Sequence, residues 1–216
     1  MKISTHVDWD QVRTNLADQE FPLAVIDGIF LADSLISLAS ELHTQAGWRQ
    51  PDWGADWFDL SSGYENIINP SLPDLTEFCT NIIEFVGLPA SSRLKGVFAV
   101  RCNGNAGLLP HADNADFVLN IWTTPDRFNQ NIGSGGMTVW NVKSPPEASP
   151  EQFTNADWVQ KYIKDSGDVR KLHIPYRCNR AIFFDARLFH ESQPISFIGN
   201  DKLSMRTNLS FAFKHD

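Results

Sequence analysis

The stretch Leu109-Pro110-His111-Ala112-Asp113-Asn114 places an imidazole and a carboxylate two residues apart, just after a glycine-rich turn and before an apolar run. In an extended chain the side chains repeat their direction every two residues, so His111 and Asp113 can point at one centre. One neutral nitrogen donor and one anionic oxygen donor suit a borderline divalent metal. A second histidine from elsewhere would complete a facial set of two histidines and one carboxylate, which leaves coordination positions open. The tripeptide alone is a weak signal, because residues of these types fall at this spacing often by chance. The rest of the chain has to supply the third ligand.

Of the six histidines, four are set aside. His6 and His215 lie near the termini, His43 at the end of an amphipathic helix and His173 just beyond an inserted one. His190 follows the buried-looking strand Ala181-Ile-Phe-Phe-Asp185 by a short turn. A histidine beside an aromatic strand is more often a core or surface residue than a ligand. Its distance in sequence from Asp113 is no obstacle, since strands far apart in sequence are neighbours in a barrel. A further clue is Arg206-Thr-Asn208-Leu-Ser210-Phe-Ala212-Phe213, whose alternation puts Arg206, Asn208, Ser210 and Ala212 on one face and Thr207, Leu209, Phe211 and Phe213 on the other. The apolar face is one that a sheet buries. The small, polar face would line an interior, where an arginine at the mouth could clamp a carboxylate bidentately. The competing reading is an arginine at the exposed end of an edge strand.

These residues need a frame, and 216 residues suffice for one domain with a core that needs no disulfides. Seven Trp and fifteen Phe favour β structure with aromatic packing. Residues 21–30 read as a strand. Residues 31–47 read as a helix with Leu35, Ile36, Leu38, Ala39 and Leu42 on one face, Asp33 as N-cap and Gly47 as its stop. The stretch 48–70 has no period; it is either a long surface connection or a substrate wall. A helix is expected over 73–87, with Pro73 in its first turn. Short strands dominate from Arg93 onward, interrupted by an insertion at 143–172 that carries a helix around Ala156–Lys164. The pattern predicts an α+β, mostly β domain in which helices cover a sheet or barrel.

A net charge of −8 without a Lys/Arg cluster argues against a nucleic-acid partner. Cys79, Cys102 and Cys178 are odd in number and widely spaced, which predicts free thiols in a reducing compartment. The N-terminal stretch has no apolar h-region and no run approaches the ~18 residues of a membrane span. A soluble cytoplasmic protein is expected, with a homodimer left open.

Taken together, His111-x-Asp113, the strand after Gly135-Gly136, a strand ending in His190, and Arg206 leading a final strand resemble the iron(II)/2-oxoglutarate-dependent dioxygenase superfamily. Within it the chain is most similar to the bacterial prolyl-hydroxylase-like branch, and Tyr176–His190 is the closest match. The resemblance implies a double-stranded β-helix (jelly-roll) barrel over residues 93–213, with residues 1–92 as outer support. It implies that His111, Asp113 and His190 are both catalytic residues and metal ligands. Arg206 would pair with the distal carboxylate of 2-oxoglutarate, helped by Asn208. Asn120 and Trp122 on the strand after the metal motif are further co-substrate candidates. The implied cofactors are Fe(2+), 2-oxoglutarate and O2, and the implied reaction oxidises a C–H bond of a small molecule, amino acid or peptide with release of succinate and CO2. Asp113 matters here, because related halogenases carry a small residue at that place. One departure is the spacing: Arg206 lies sixteen residues after His190, a longer interval than is common.

Substrate contacts are expected from the 48–64 loop, from Asp126–Ser134 and from the 143–172 insertion. Trp53, Trp57, Phe58 and Tyr64 would form an apolar wall, and Arg101 or Arg187 would meet an anionic group. The alternative is a cupin-like metal- or sugar-binding barrel without oxygenase turnover, which calls for a cluster of three histidines and a glutamate. A hydrolase is disfavoured: there is no Gly-x-Ser-x-Gly elbow and no cysteine has a visible histidine partner.

Overall fold

The computed structural model describes residues 1–50, 64–102 and 107–215. In chain order these form α1 (Trp9–Leu16), β1 (Leu23–Asp27), α2 (Ala32–Thr44), β2 (Tyr64–Ile68), α3 (Leu75–Val86), β3 (Arg93–Cys102), β4 (Phe117–Trp122) and β5 (Met137–Lys143). There follow α4 (Pro150–Phe153), α5 (Ala156–Asp165), β6 (Lys171–Ile174), β7 (Arg180–Asp185), β8 (Leu188–Ser192) and β9 (Arg206–Lys214). Two antiparallel sheets result, one of six strands in the order β1-β7-β4-β9-β3-β2 and one of three in the order β6-β5-β8. The protein is mostly β with helices outside, an arrangement consistent with a jelly roll.

Alternation decides what each face of the larger sheet meets. Leu119 and Ile121 of β4, Phe183 of β7 and Leu209, Phe211 and Phe213 of β9 pack with Val12, Leu38, Leu42, Phe78, Ile82 and Val86 from the helices. A fully buried phenylalanine or leucine contributes about 1.5–3 kcal/mol through removal of apolar surface from water, so this face is the main store of stability. The opposite face carries Val100, Val118, Trp122, Ile182 and Phe184, packed with Met137, Val139 and Leu188 of the smaller sheet. Between the sheets lies the cavity described below.

Several elements differ from expectation. Helix α1 was not foreseen; Asp8 caps it by accepting from Gln11 N–H at 3.0 Å. Helix α2 starts behind Leu31, so Asp33 sits in its first turn, favourable to the helix dipole but not the cap. Ile36 is 67% exposed, because the buried stripe runs through Leu38 and Leu42 and Ile36 turns away from it. Helix α3 begins after Pro73, at Leu75. Strand β2 emerges from the aperiodic stretch as an edge strand paired with β3. The run 180–192 is two strands, β7 in the large sheet and β8 in the small one. Trp53, Trp57 and Phe58, and the side chain of Tyr64, lie outside the described residues. The three cysteines are free thiols, and no described helix is long and apolar enough to cross a membrane.

Strand β1 is tied to β7 by Asp27, whose carboxylate accepts from Arg180 Nε at 2.6 Å and from Arg177 NH1 at 3.1 Å. The hydrogen bond from Arg180 holds the Asp27 carboxyl below its usual range. A depressed carboxylate pKa stabilises the folded state above the unfolded value of about 4, and that contribution is lost as pH falls through the folded pKa. Urea unfolding at pH 7 and at pH 3 should therefore show Asp27→Asn less stable than wild type at pH 7, by about 1 kcal/mol or less because the pair is solvent-screened. The difference between the two proteins should be smaller at pH 3, because Asp27 is then closer to protonation in the folded state.

Candidate metal centre

The segment 109–113 joins β8 through its backbone. His111 N–H donates to His190 O at 2.9 Å and His190 N–H to His111 O at 2.8 Å, so the two imidazoles come off facing positions of one short antiparallel bridge. Asp113 is fixed next by its own N–H, which donates to Ala186 O at 2.9 Å. The result is a cluster in which one ligand atom each from His111, Asp113 and His190 lies within 4.8 Å of the others. His190 Nε2 is 3.5 Å from Asp113 Oδ2, and the two imidazole centroids are 4.3 Å apart.

Both rings are held in one tautomer. His111 Nδ1 lies 2.7 Å from Leu109 O and His190 Nδ1 2.9 Å from Leu188 O. A carbonyl oxygen only accepts, so Nδ1 carries the proton in each ring and Nε2 keeps its lone pair for the common centre. Burial pushes the His111 pKa down to about 3, assisted by His190, which keeps that ring neutral. The same burial raises the Asp113 carboxyl against the pull of His190 and Lys95. A buried carboxylate beside two imidazole nitrogen donors is stabilised by a cation, and this donor set fits a divalent iron-type metal. Among the described residues no other group of His, Cys, Asp or Glu meets the geometry for a metal.

The three ligands sit at one end of a cavity of about 200 Å³, with Arg206, Asn208, Ser210 and Asn120 along its sheet wall. The polar face of β9 is thus an inner wall, as its alternation predicted. Arg206 is buried, 3% exposed, and so lies inside the cavity and not at an open mouth. Its Nε donates to Gly135 O at 2.7 Å and its NH1 to Asn208 Oδ1 at 2.9 Å, and its guanidinium lies 5.8 Å above the Trp122 ring. The long interval before it is a connection that runs beside residues 128–135, with Gln130 N–H on Ser196 O and Ile198 N–H on Phe128 O. Asn208 Nδ2 and Ser210 Oγ both donate to Asn120 Oδ1 at 2.9 Å. With its oxygen doubly held, the Asn120 carboxamide has a buried Nδ2 with no partner among the described residues. A buried donor left unmatched costs about 1–3 kcal/mol, so this atom is suited to an acceptor on a ligand.

Not every expected residue reaches the cavity. Trp122 shares a sheet face with Asn120 but lies beneath Arg206 and against Tyr176, with ring centroids 5.1 Å apart. Arg101 points to the opposite side of its sheet, where it pairs with Glu65 and stacks 4.1 Å over Trp48. Arg187 donates to Ser144 O at 3.2 Å and is not on the cavity wall. Ser210 and the Gly135 carbonyl were not singled out as site groups. The Ser210 role follows from the β9 alternation, but the Gly135 anchor depends on a contact 71 residues distant.

No family model and no curated protein sequence matches the chain. Solved structures do match in fold. The carbocyclase SnoK from nogalamycin biosynthesis, described as non-haem and α-ketoglutarate dependent, aligns at 13% identity and TM-score 0.67 over 98% of this chain and 85% of its own. HygX from Streptomyces hygroscopicus, solved with nickel, 2-oxoglutarate and hygromycin B, aligns at 11% identity and TM-score 0.55 over 98% and 87%. A Pseudomonas putida prolyl-4-hydroxylase aligns at 12% identity and TM-score 0.56 over 96% and 99%. At these identities the likeness establishes the fold, which this chain shares with 2-oxoglutarate-dependent oxygenases.

Gly136, beside the Arg206 anchor, has no room for a side chain: an added Cβ would run into Ile174 O and Tyr176 N. Gly136→Ala should lower the urea midpoint by the equivalent of about 1–3 kcal/mol, the usual range for overpacking.

Proposed function

We propose that this chain is a non-haem iron(II)- and 2-oxoglutarate-dependent oxygenase, built as one domain on a double-stranded β-helix over residues 93–213. The observation that carries the reading is the pairing of two groups in one buried cavity. At one end His111, Asp113 and His190 present two imidazoles and a carboxylate. Along the sheet wall the register steps from Asn120 and Ser210 to Asn208 and then Arg206. In this reading His111, Asp113 and His190 are the iron ligands, Arg206 holds the distal carboxylate of 2-oxoglutarate, and Asn208 and Asn120 assist it. Trp122 supports Arg206 from below.

Iron(II) with 2-oxoglutarate and O2 supplies C–H oxidation coupled to decarboxylation of the co-substrate to succinate and CO2. The chain's own work is to hold, orient and dry. Leu109 O and Leu188 O fix the imidazole tautomers, and Gly135 O and Asn208 fix the guanidinium so that a carboxylate meets a preorganised fork. The apolar walls Phe98, Val100, Val118, Met137 and Phe184 exclude water from the space between. Asp113 fills the place that halogenases leave open, which favours hydroxylation or a desaturation or cyclisation variant. The cupin-like alternative loses its support, because the cluster holds two histidines and an aspartate. A small molecule, amino acid or peptide is the substrate class, and the free cysteines suit a cytoplasmic setting.

Anaerobic addition of iron(II) and 2-oxoglutarate to the metal-free protein should give a 2-oxoglutarate-dependent absorbance. A chain that retains no iron and shows no such band would sink the proposal. His190→Ala should abolish iron binding. Arg206→Gln should leave iron affinity near wild type and weaken 2-oxoglutarate at least about tenfold, in line with loss of a charge-assisted bidentate pair. A succinate-release screen over amino acids and small metabolites then identifies the substrate.

A further inference from the structure

The two metal-ligand segments have reverse sides, and these are occupied. In β8, His190 faces the cavity while Phe189 points the other way and is 0% exposed. Between His111 and Asp113, Ala112 also turns away and is 0% exposed. Both meet the inserted segment. Ala112, Phe189, Trp140, Phe153, Val159 and Ile163 form one buried apolar cluster, separate from those on the two faces of the large sheet. Ala112 N–H donates to Phe153 O at 2.9 Å, which ties α4 to the backbone between two ligands. The Phe189 ring meets Trp158 and Tyr162 edge-on, at centroid distances of 6.4 and 5.9 Å. Those two α5 side chains stack on each other at 5.2 Å. By contrast, no residue of 143–172 lines the cavity.

We propose that α4 and α5 form a brace that sets the metal ligands from behind, with Phe153, Trp158, Tyr162 and Phe189 as positioning residues. The inserted segment is therefore not the substrate lid. This inference rests on the metal-centre reading above. Its physical basis is tolerance: metal–ligand distances are defined to about 0.2 Å, and close-packed side chains transmit displacements of that size. His111 and His190 are bonded to each other through both backbone bridges, so a shift of β8 at Phe189 carries both imidazoles with it.

The test uses cobalt(II) as a probe in the full chain, with affinity from chelator competition and geometry from the visible ligand-field spectrum. Trp158→Ala is expected to weaken cobalt(II) about 10–100-fold, the usual loss when an outer support of a metal ligand is removed, and to alter the spectrum. Trp158→Phe, which keeps an aromatic edge, returns both toward wild type. Leu38→Ala, in the separate helix-side core, lowers the melting temperature while leaving cobalt(II) affinity and spectrum unchanged. The brace is overturned if Trp158→Ala binds cobalt(II) as wild type does, or if Leu38→Ala weakens it equally. Should Trp158→Ala fail to fold, Tyr162→Leu makes the same comparison with most of the apolar bulk kept. Wild-type protein that binds no cobalt(II) removes the metal-centre reading and the brace together. Wild-type binding with an unaffected Trp158→Ala removes the brace alone.

Discussion

The reciprocal backbone bridge between His111 and His190 is the constraint on which the rest of the site depends. Two hydrogen bonds, 2.9 and 2.8 Å, join segments from different halves of the β region and set both imidazoles on one side. Asp113 follows because two residues along an extended chain return to the same face. Nδ1 of each ring is then used on the carbonyl two residues before it, which leaves Nε2 as the sole lone pair for the centre. Geometry and protonation state thus have a common origin in backbone pairing.

The large sheet divides its labour by face. On β9, Leu209, Phe211 and Phe213 secure the helices, and the intervening Arg206, Asn208 and Ser210 form the cavity wall. A one-residue slip of that strand would exchange the two sets, burying an arginine in the apolar core and turning phenylalanines into the cavity. The strength of the hydrophobic face therefore fixes where the polar groups stand. Asn120 illustrates the precision: two donors hold its oxygen, and its amino group has one direction left.

What could be read in the sequence was what depends on short periods. His111-x-Asp113 and the split faces of β9 follow from the two-residue repeat, and the helix expected around Ala156–Lys164 is present as α5. Strand β2 was hidden because its edge pairing with β3 is non-local and its flanking stretch has no period. Helix α1 buries only Val12, too little to announce itself by hydrophobicity, although Asp8 followed by Gln11 is a capping signature. Arg101 was misdirected by its residue type alone. Parity on β3 with Val100, which faces the cavity, turns it to the other side. The carbonyl of Gly135 under Arg206, and the contact of the insertion with Ala112 and Phe189, belong to packing between distant segments and have no local signature.

The strand order has a consequence for how the protein comes into being. Strand β9, close to the C-terminus, lies in the interior of the six-stranded sheet between β4 and β3. Until it arrives, β3 and β4 each expose an unpaired edge, and the apolar faces of α2 and α3 lack three large side chains of their floor. During synthesis the sheet consequently cannot close before β9 itself has left the ribosome. Such pairing of distant segments is slow and leaves sticky edges exposed meanwhile. Arg206 is also the first residue of that last strand. The chain thus acquires the cation of its cavity wall in the same event that completes the six-stranded sheet, and a half-made molecule has neither.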